Sequence, residues 1–112
     1  MNESSLGPFD VVLLDDDALV RMTWTVAAKS KGIRLAAFKT PAELLAAVVG
    51  LPKDTPIYLD SELGEGLKGE DVARGLHAKG FSSLHLTTGH PPETLPPMPW
   101  IKRVVGKEPP WA

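Results

Sequence analysis

Short apolar runs rich in β-branched residues alternate with amphipathic stretches along most of this chain, and the alternation limits the fold more than any other feature. Phe9 to Asp15, Ile33 to Lys39, Ile57 to Asp60, Leu84 to Thr87 and Ile101 to Gly106 read as strands. Helices are predicted over Ala18 to Lys31, Pro41 to Val49 and Glu70 to Lys79. Strands alternating with helices argue for a parallel sheet with helices on both faces.

Local signals sharpen the helices. Val20, Trp24, Ala27 and Ala28 fall on one face of the first, so Trp24 is expected to pack; Asp17 is placed to cap it and Gly32 to stop it. Thr40-Pro41-Ala42-Glu43 combines an N-cap, a proline at the first helical position and a glutamate three residues after the cap. The third helix places Val72, Ala73 and Leu76 on its apolar side, and Gly75 weakens it.

Two segments break the pattern. Gly89 to Pro99 holds five prolines, each costing about 3 kcal/mol inside a helix, so a fourth helix is expected to be shortened or absent. After the fifth strand only a tail, 108–112, is left, so a fifth helix is expected to be missing. Part of one sheet face is then bare and calls for a partner, a second subunit or a tail folded over it. Pro109-Pro110-Trp111 is a candidate lid, and Trp100 and Trp111 are candidates to cover the sheet. Met1 to Pro8 is polar and expected to fray.

With 112 residues, 43% hydrophobic and 23% charged, the chain is expected to form one globular domain over 1–112. A net charge of −2 gives no electrostatic basis for binding nucleic acid, and Lys102-Arg103 is too small a basic patch to change that. Leu44 to Leu51 is far too short to span a membrane, and the N-terminus lacks a signal-peptide pattern. The absence of cysteine removes thiol and disulfide chemistry and fits a cytoplasmic setting. His77, His85 and His90 lack metal-ligand spacing and are expected at surface or half-buried positions.

The chemistry gathers where strands end. Asp15-Asp16-Asp17 follows Val11-Val12-Leu13-Leu14, and crowded carboxylates repel one another and resist burial. A divalent cation makes such a cluster favourable. In an open parallel sheet the carboxyl ends of the strands line one edge, where ligands bind. Asp15, Asp16, Asp60, Thr87, Thr88 and Lys107 all fall at or just past strand ends, so they are expected to converge. The acids suit a hard cation such as Mg²⁺. One carboxylate can attack phosphorus, and a lysine and a hydroxyl can bind the phosphoryl oxygens.

The segments VVLLDDDALVR, PIYLD, LHLTTG and VVGK, in that order, resemble a response-regulator receiver domain of two-component signalling, as does the 45-residue interval from Asp15 to Asp60. The resemblance implies a flavodoxin-like, doubly wound sheet of strand order 2-1-3-4-5. It implies that Asp60 is the phosphoacceptor and that Asp15 and Asp16 are metal-site acids, Asp16 the more direct ligand. Glu62 offers its backbone carbonyl to Mg²⁺, Thr88 is the switch hydroxyl with Thr87 as the alternative, and Lys107 pairs with the phosphoryl group. Asp17 is left as a helix cap and Ser61 as structural. The implied function is a stand-alone shuttle, sink or protein-binding switch fed by a sensor histidine kinase or phosphotransfer protein. It would catalyse only its own phosphorylation and dephosphorylation.

The chain departs from the family in places. Glu108 follows Lys107 where a proline in a cis peptide is usual, and a cis bond to a non-proline costs about 2.5–4 kcal/mol. A trans bond or a rearranged loop is expected. Val104 stands where an aromatic switch is often found, and Glu62 adds a long acid beside Asp60. These departures motivate the alternative of a binding module that keeps the fold and has lost the switch. A Mg²⁺-dependent phosphatase-like hydrolase fits the Asp15-x-Asp17 spacing but leaves little chain for a substrate pocket.

Overall fold

The computed structural model describes residues 8–91 and 98–111. Strands β1 (Val11–Leu14), β2 (Leu35–Phe38), β3 (Ile57–Asp60), β4 (Leu84–Thr87) and β5 (Arg103–Val105) are all parallel, in the order β2-β1-β3-β4-β5. The α-helices among the described residues are α1 (Ala18–Ser30), α2 (Pro41–Ala47) and α3 (Gly69–Ala78). This is the parallel sheet expected from the alternation, in the doubly wound, flavodoxin-like order that the resemblance implies. The proline-rich stretch expected to shorten or abolish a fourth helix includes 92–97, outside the described residues, as does most of the stretch expected to fray.

Helices α1 and α2 start where side chains satisfy free backbone N–H groups. The Asp17 carboxylate accepts from Leu19 N at 2.8 Å. Thr40 Oγ1 accepts from Glu43 N, and Glu43 Oε1 accepts from Thr40 N, each at 3.2 Å, so the capping box is complete. Helix α2 ends at Ala47, two residues before the predicted Val49, and Val48–Gly50 winds as a 3₁₀ turn. Leu51 N donates to Val48 O at 3.0 Å, which tightens the end before Pro52.

Alternation along the strands sorts side chains onto two faces. Val12, Leu14, Ile57, Leu59, Leu84 and Leu86 pack with Leu44, Val48, Ala73 and Leu76 beneath α2 and α3. The fully buried leucines among them each stabilise the fold by about 2 kcal/mol. Leu13 and Tyr58 face the other way, against Trp24 of α1. No α-helix follows β5 among the described residues. Instead Pro109 is buried, and Trp111 packs edge-on against Trp24 with ring centroids 5.4 Å apart.

His85 corrects an expectation, because it is buried, not at or near the surface. Its ring stacks on Tyr58 at 4.5 Å, and Nε2 shares a hydrogen bond with Ser83 Oγ at 3.2 Å. Burial, reinforced by the charges of Arg103 and Lys102, pushes the imidazole down from 6.5 to about 4. Folding thus favours the neutral ring. The stability this gives is whole above about pH 6.5 and is lost as pH falls toward 4. Across that window the stability of wild type relative to His85→Phe should fall by about 3 kcal/mol. Urea denaturation at pH 7 and at pH 4 measures it, and a flat difference would mean the ring is not held neutral by burial.

Candidate functional site

At the carboxyl edge of the sheet, β1 delivers Asp15 fully buried and β3 delivers Asp60 nearly so, while Asp16 stays exposed. Leu13 and Asp15 share a side of β1, and Tyr58 and Asp60 share a side of β3. Both acids therefore emerge on the α1 face. Carboxylate oxygens of Asp15, Asp16 and Asp60 lie within 4.8 Å of one another.

Lys107, two residues past β5, completes the cluster. Its Nζ lies 2.8 Å from Asp15 Oδ2 and 2.6 Å from Asp60 Oδ1. The described residues contain no cis peptide, so the Lys107–Glu108 bond is trans, as expected. The ammonium nonetheless enters the acid pocket. Burial works to lower its pKa, but the bonds to Asp15 and Asp60 outweigh this and hold it above the ordinary lysine value. Burial pushes the Asp60 carboxyl above the ordinary carboxylate value, and the Asp15 charge adds to the rise. The Lys107 and Glu62 hydrogen bonds oppose it.

Loops fix the acids. Asp15 Oδ1 accepts from Asp17 N at 2.9 Å, and Arg21 Nη1 donates to Asp15 O at 2.9 Å. Glu62 N donates to Asp60 Oδ1 at 3.2 Å. The Glu62 side chain does not enter the pocket; it pairs with His90 Nε2 at 3.0 Å, exposed on the rim. Gly64, at φ +81°, brings the loop so close that a Cβ would lie 3.2 Å from Asp16 Oδ2.

The two candidate hydroxyls differ. Thr88 is buried, and its Oγ1 accepts from His90 N at 3.0 Å, which leaves its O–H proton free to donate. Thr87 pairs in register with Asp60, and its buried Oγ1 has no hydrogen-bond partner. Oxygen-only donors, two of them largely buried beside an exposed third, fit a hard cation such as Mg²⁺. Sequence reading missed Trp24 as a polar partner, Gly69 behind Asp60, and the Glu62–His90 pair. None of these has a local sequence signal, since each depends on a contact made only in the fold.

Solved structures share this architecture. The N-terminal domain of a response regulator/sensory box/GGDEF three-domain protein from Carboxydothermus hydrogenoformans is 20% identical, with a TM-score of 0.68 over 87% of this chain and 80% of that one. A CheY-like response regulator receiver domain protein from Methanospirillum hungatei JF-1 is 17% identical, with a TM-score of 0.66 over 88% and 81%. The PhyR response regulator REC domain of Erythrobacter litoralis is 22% identical, with a TM-score of 0.69 over 92% and 81%. The chain has the receiver-domain fold. At these identities the likeness is one of fold. No protein-family model and no curated protein matches the sequence. Within the receiver fold, the acid cluster and Lys107 occupy the edge where open parallel sheets bind ligands. No helix among the described residues is long and apolar enough to cross a membrane.

Proposed function

We propose that this chain is a phosphoacceptor receiver of a two-component phosphorelay. It takes a phosphoryl group from a sensor histidine kinase or phosphotransfer protein onto Asp60 with Mg²⁺, and acts in the cytoplasm as a shuttle, sink or protein-binding switch. One observation carries the reading: Lys107 Nζ bridges Asp15 and Asp60 inside a cluster of three carboxylates.

Lys107 and Glu62 N both engage Oδ1 of Asp60, which leaves Oδ2 as the attacking oxygen. As the Asp60 O–P bond forms, the P–N bond of the donor phosphohistidine breaks and the imidazole keeps the electron pair. Lys107, already held between the acids, turns its N–H groups to a phosphoryl oxygen. Thr88 donates its free O–H to another, with Thr87 the alternative. Asp15, Asp16, Asp60 and the carbonyl of Glu62 would hold Mg²⁺, which supplies charge neutralisation for the phosphoryl oxygens. The donor must reach this edge, and α1, directly behind the acid loop, exposes Leu19, Met22 and Val26.

Incubation of the full chain with Mg²⁺ and acetyl phosphate, followed by intact-mass measurement, tests the reading. One phosphoryl mass is expected with Mg²⁺ and none with EDTA. No adduct in the presence of Mg²⁺ rejects it.

Val104 favours a second reading, a binding module without switching. It is half-buried against the core and has no ring to rotate. An adduct that leaves tryptophan fluorescence unchanged would support that module over a switch.

A further inference from the structure

Trp24 is the largest fully buried side chain among the described residues. An indole N–H is a donor only, and a buried one needs an acceptor. That acceptor is the backbone carbonyl of Lys107, 2.8 Å from Nε1 and 83 residues away in sequence. Lys107 lies beyond Val105, the last residue of β5, so the sheet ladder does not hold it. Among the described residues, the indole makes the one hydrogen bond to the Lys107 main chain.

The helix that carries Trp24 also holds the acids. α1 begins at the Asp17 cap, and Arg21, three residues before Trp24, donates to the Asp15 carbonyl. One rigid element thus grips the acid loop at its start and the lysine loop a turn later. The indole is itself fixed, with Tyr58 and Trp111 rings each 5.4 Å away.

We propose that Trp24 is a positioning residue for Lys107: its indole N–H sets the Lys107 backbone so that the ammonium reaches Asp15 and Asp60 together. The effect on phosphorylation rests on the phosphoacceptor reading above; the effect on Lys107 position does not. The geometry reaches the ammonium through a trans Lys107–Glu108 peptide, with the indole as the external brace.

Two readouts test this on the full chain. Trp24→Phe removes the donor but also leaves a gap in the core. A second variant, with Trp24 replaced by the benzothiophene analogue of tryptophan, keeps the volume and removes only the N–H. In both, competitive amine labelling of Lys107, read by mass spectrometry, should rise about tenfold as the ammonium leaves the pocket. The rate of phosphorylation by acetyl phosphate should fall about tenfold. In a Lys107→Ala background the analogue should cost nothing further, because it acts through the lysine. Trp111→Phe keeps the ring contact and should change neither readout. Unchanged Lys107 labelling in the analogue overturns the proposal. So does an equal rate loss in the Lys107→Ala background, which would assign the effect to packing. Raised labelling in a chain that takes no phosphoryl group would uphold the positioning role and reject the phosphoacceptor reading alone.

Discussion

Asp60→Asn is expected to abolish the phosphoryl adduct and to raise the melting temperature at pH 7. The first effect follows from chemistry, since an amide oxygen is too weak a nucleophile to replace the carboxylate in the proposed transfer. The second follows from burial. Asp60 has its carboxyl pushed above the ordinary value, mainly by loss of water, despite the lysine beside it. A raised carboxyl means that folding favours the protonated form. The stability it gives is present below the unfolded value, near 3.9, and is lost as pH rises through the folded value. At pH 7 it is absent, and the neutral Asn restores it while Lys107 keeps Asp15. Intact mass and thermal melts on the same samples check both parts. An adduct on the variant would place the phosphoryl group elsewhere. A lower melting temperature would mean that the Lys107–Asp60 bond outweighs the burial of the charge.

Gly69→Ala is expected to destabilise the fold by about 3 kcal/mol or more. Gly69 opens α3 and is buried, and its N–H donates to Ser61 O at 3.3 Å. A Cβ there would collide with the backbone carbonyl of Asp60 and approach Leu86 Cδ2 at 3.3 Å. The obstruction is backbone, so no side chain can swing away. Relief requires α3 or the end of β3 to move, and the end of β3 is Asp60. Whatever fraction of the variant folds should therefore also phosphorylate more slowly. Gly75→Ala, further along the same helix, is the control. Nothing lies within 4 Å of its added Cβ, and alanine should stabilise α3 by about 0.5–1 kcal/mol. Urea denaturation of the two variants separates them; equal effects would mean that the close approach behind Asp60 is not what matters.

The fold was legible where periodicity and punctuation agreed. Thr40, Pro41 and Glu43 marked the start of α2, and the capping box is formed. Ile57–Asp60 and Leu84–Thr87 match the observed strands, whereas Phe9 to Asp15, Ile33 to Lys39 and Ile101 to Gly106 are trimmed at both ends. At several trimmed positions single backbone bonds continue, as from Asp10 N to Arg34 O and from Lys102 N to Leu84 O, beyond the regular ladder. The convergence of Asp15, Asp16, Asp60 and Lys107 was legible from topology, because parallel strands bring their carboxyl ends to one edge. Contacts that depend on an exact approach were not. His85 sits in an apolar run that gives no sign of a stacking partner, and Tyr58 supplies it from the next strand. Gly69 looks like a loop glycine until the Asp60 carbonyl is set beside it. The Trp24–Lys107 bond joins residues too far apart for any local pattern to encode.

The position of Lys107 on the last strand's trailing loop also bears on how the molecule is made. Synthesis runs from the N-terminus, and elements begin to fold in that order. β1 and β3 can pair, and bring Asp15 and Asp60 together, before the lysine has been translated. Until then the nascent sheet carries two crowded carboxylates with no ammonium between them. In the finished domain the Lys107 ammonium stands between the same two acids.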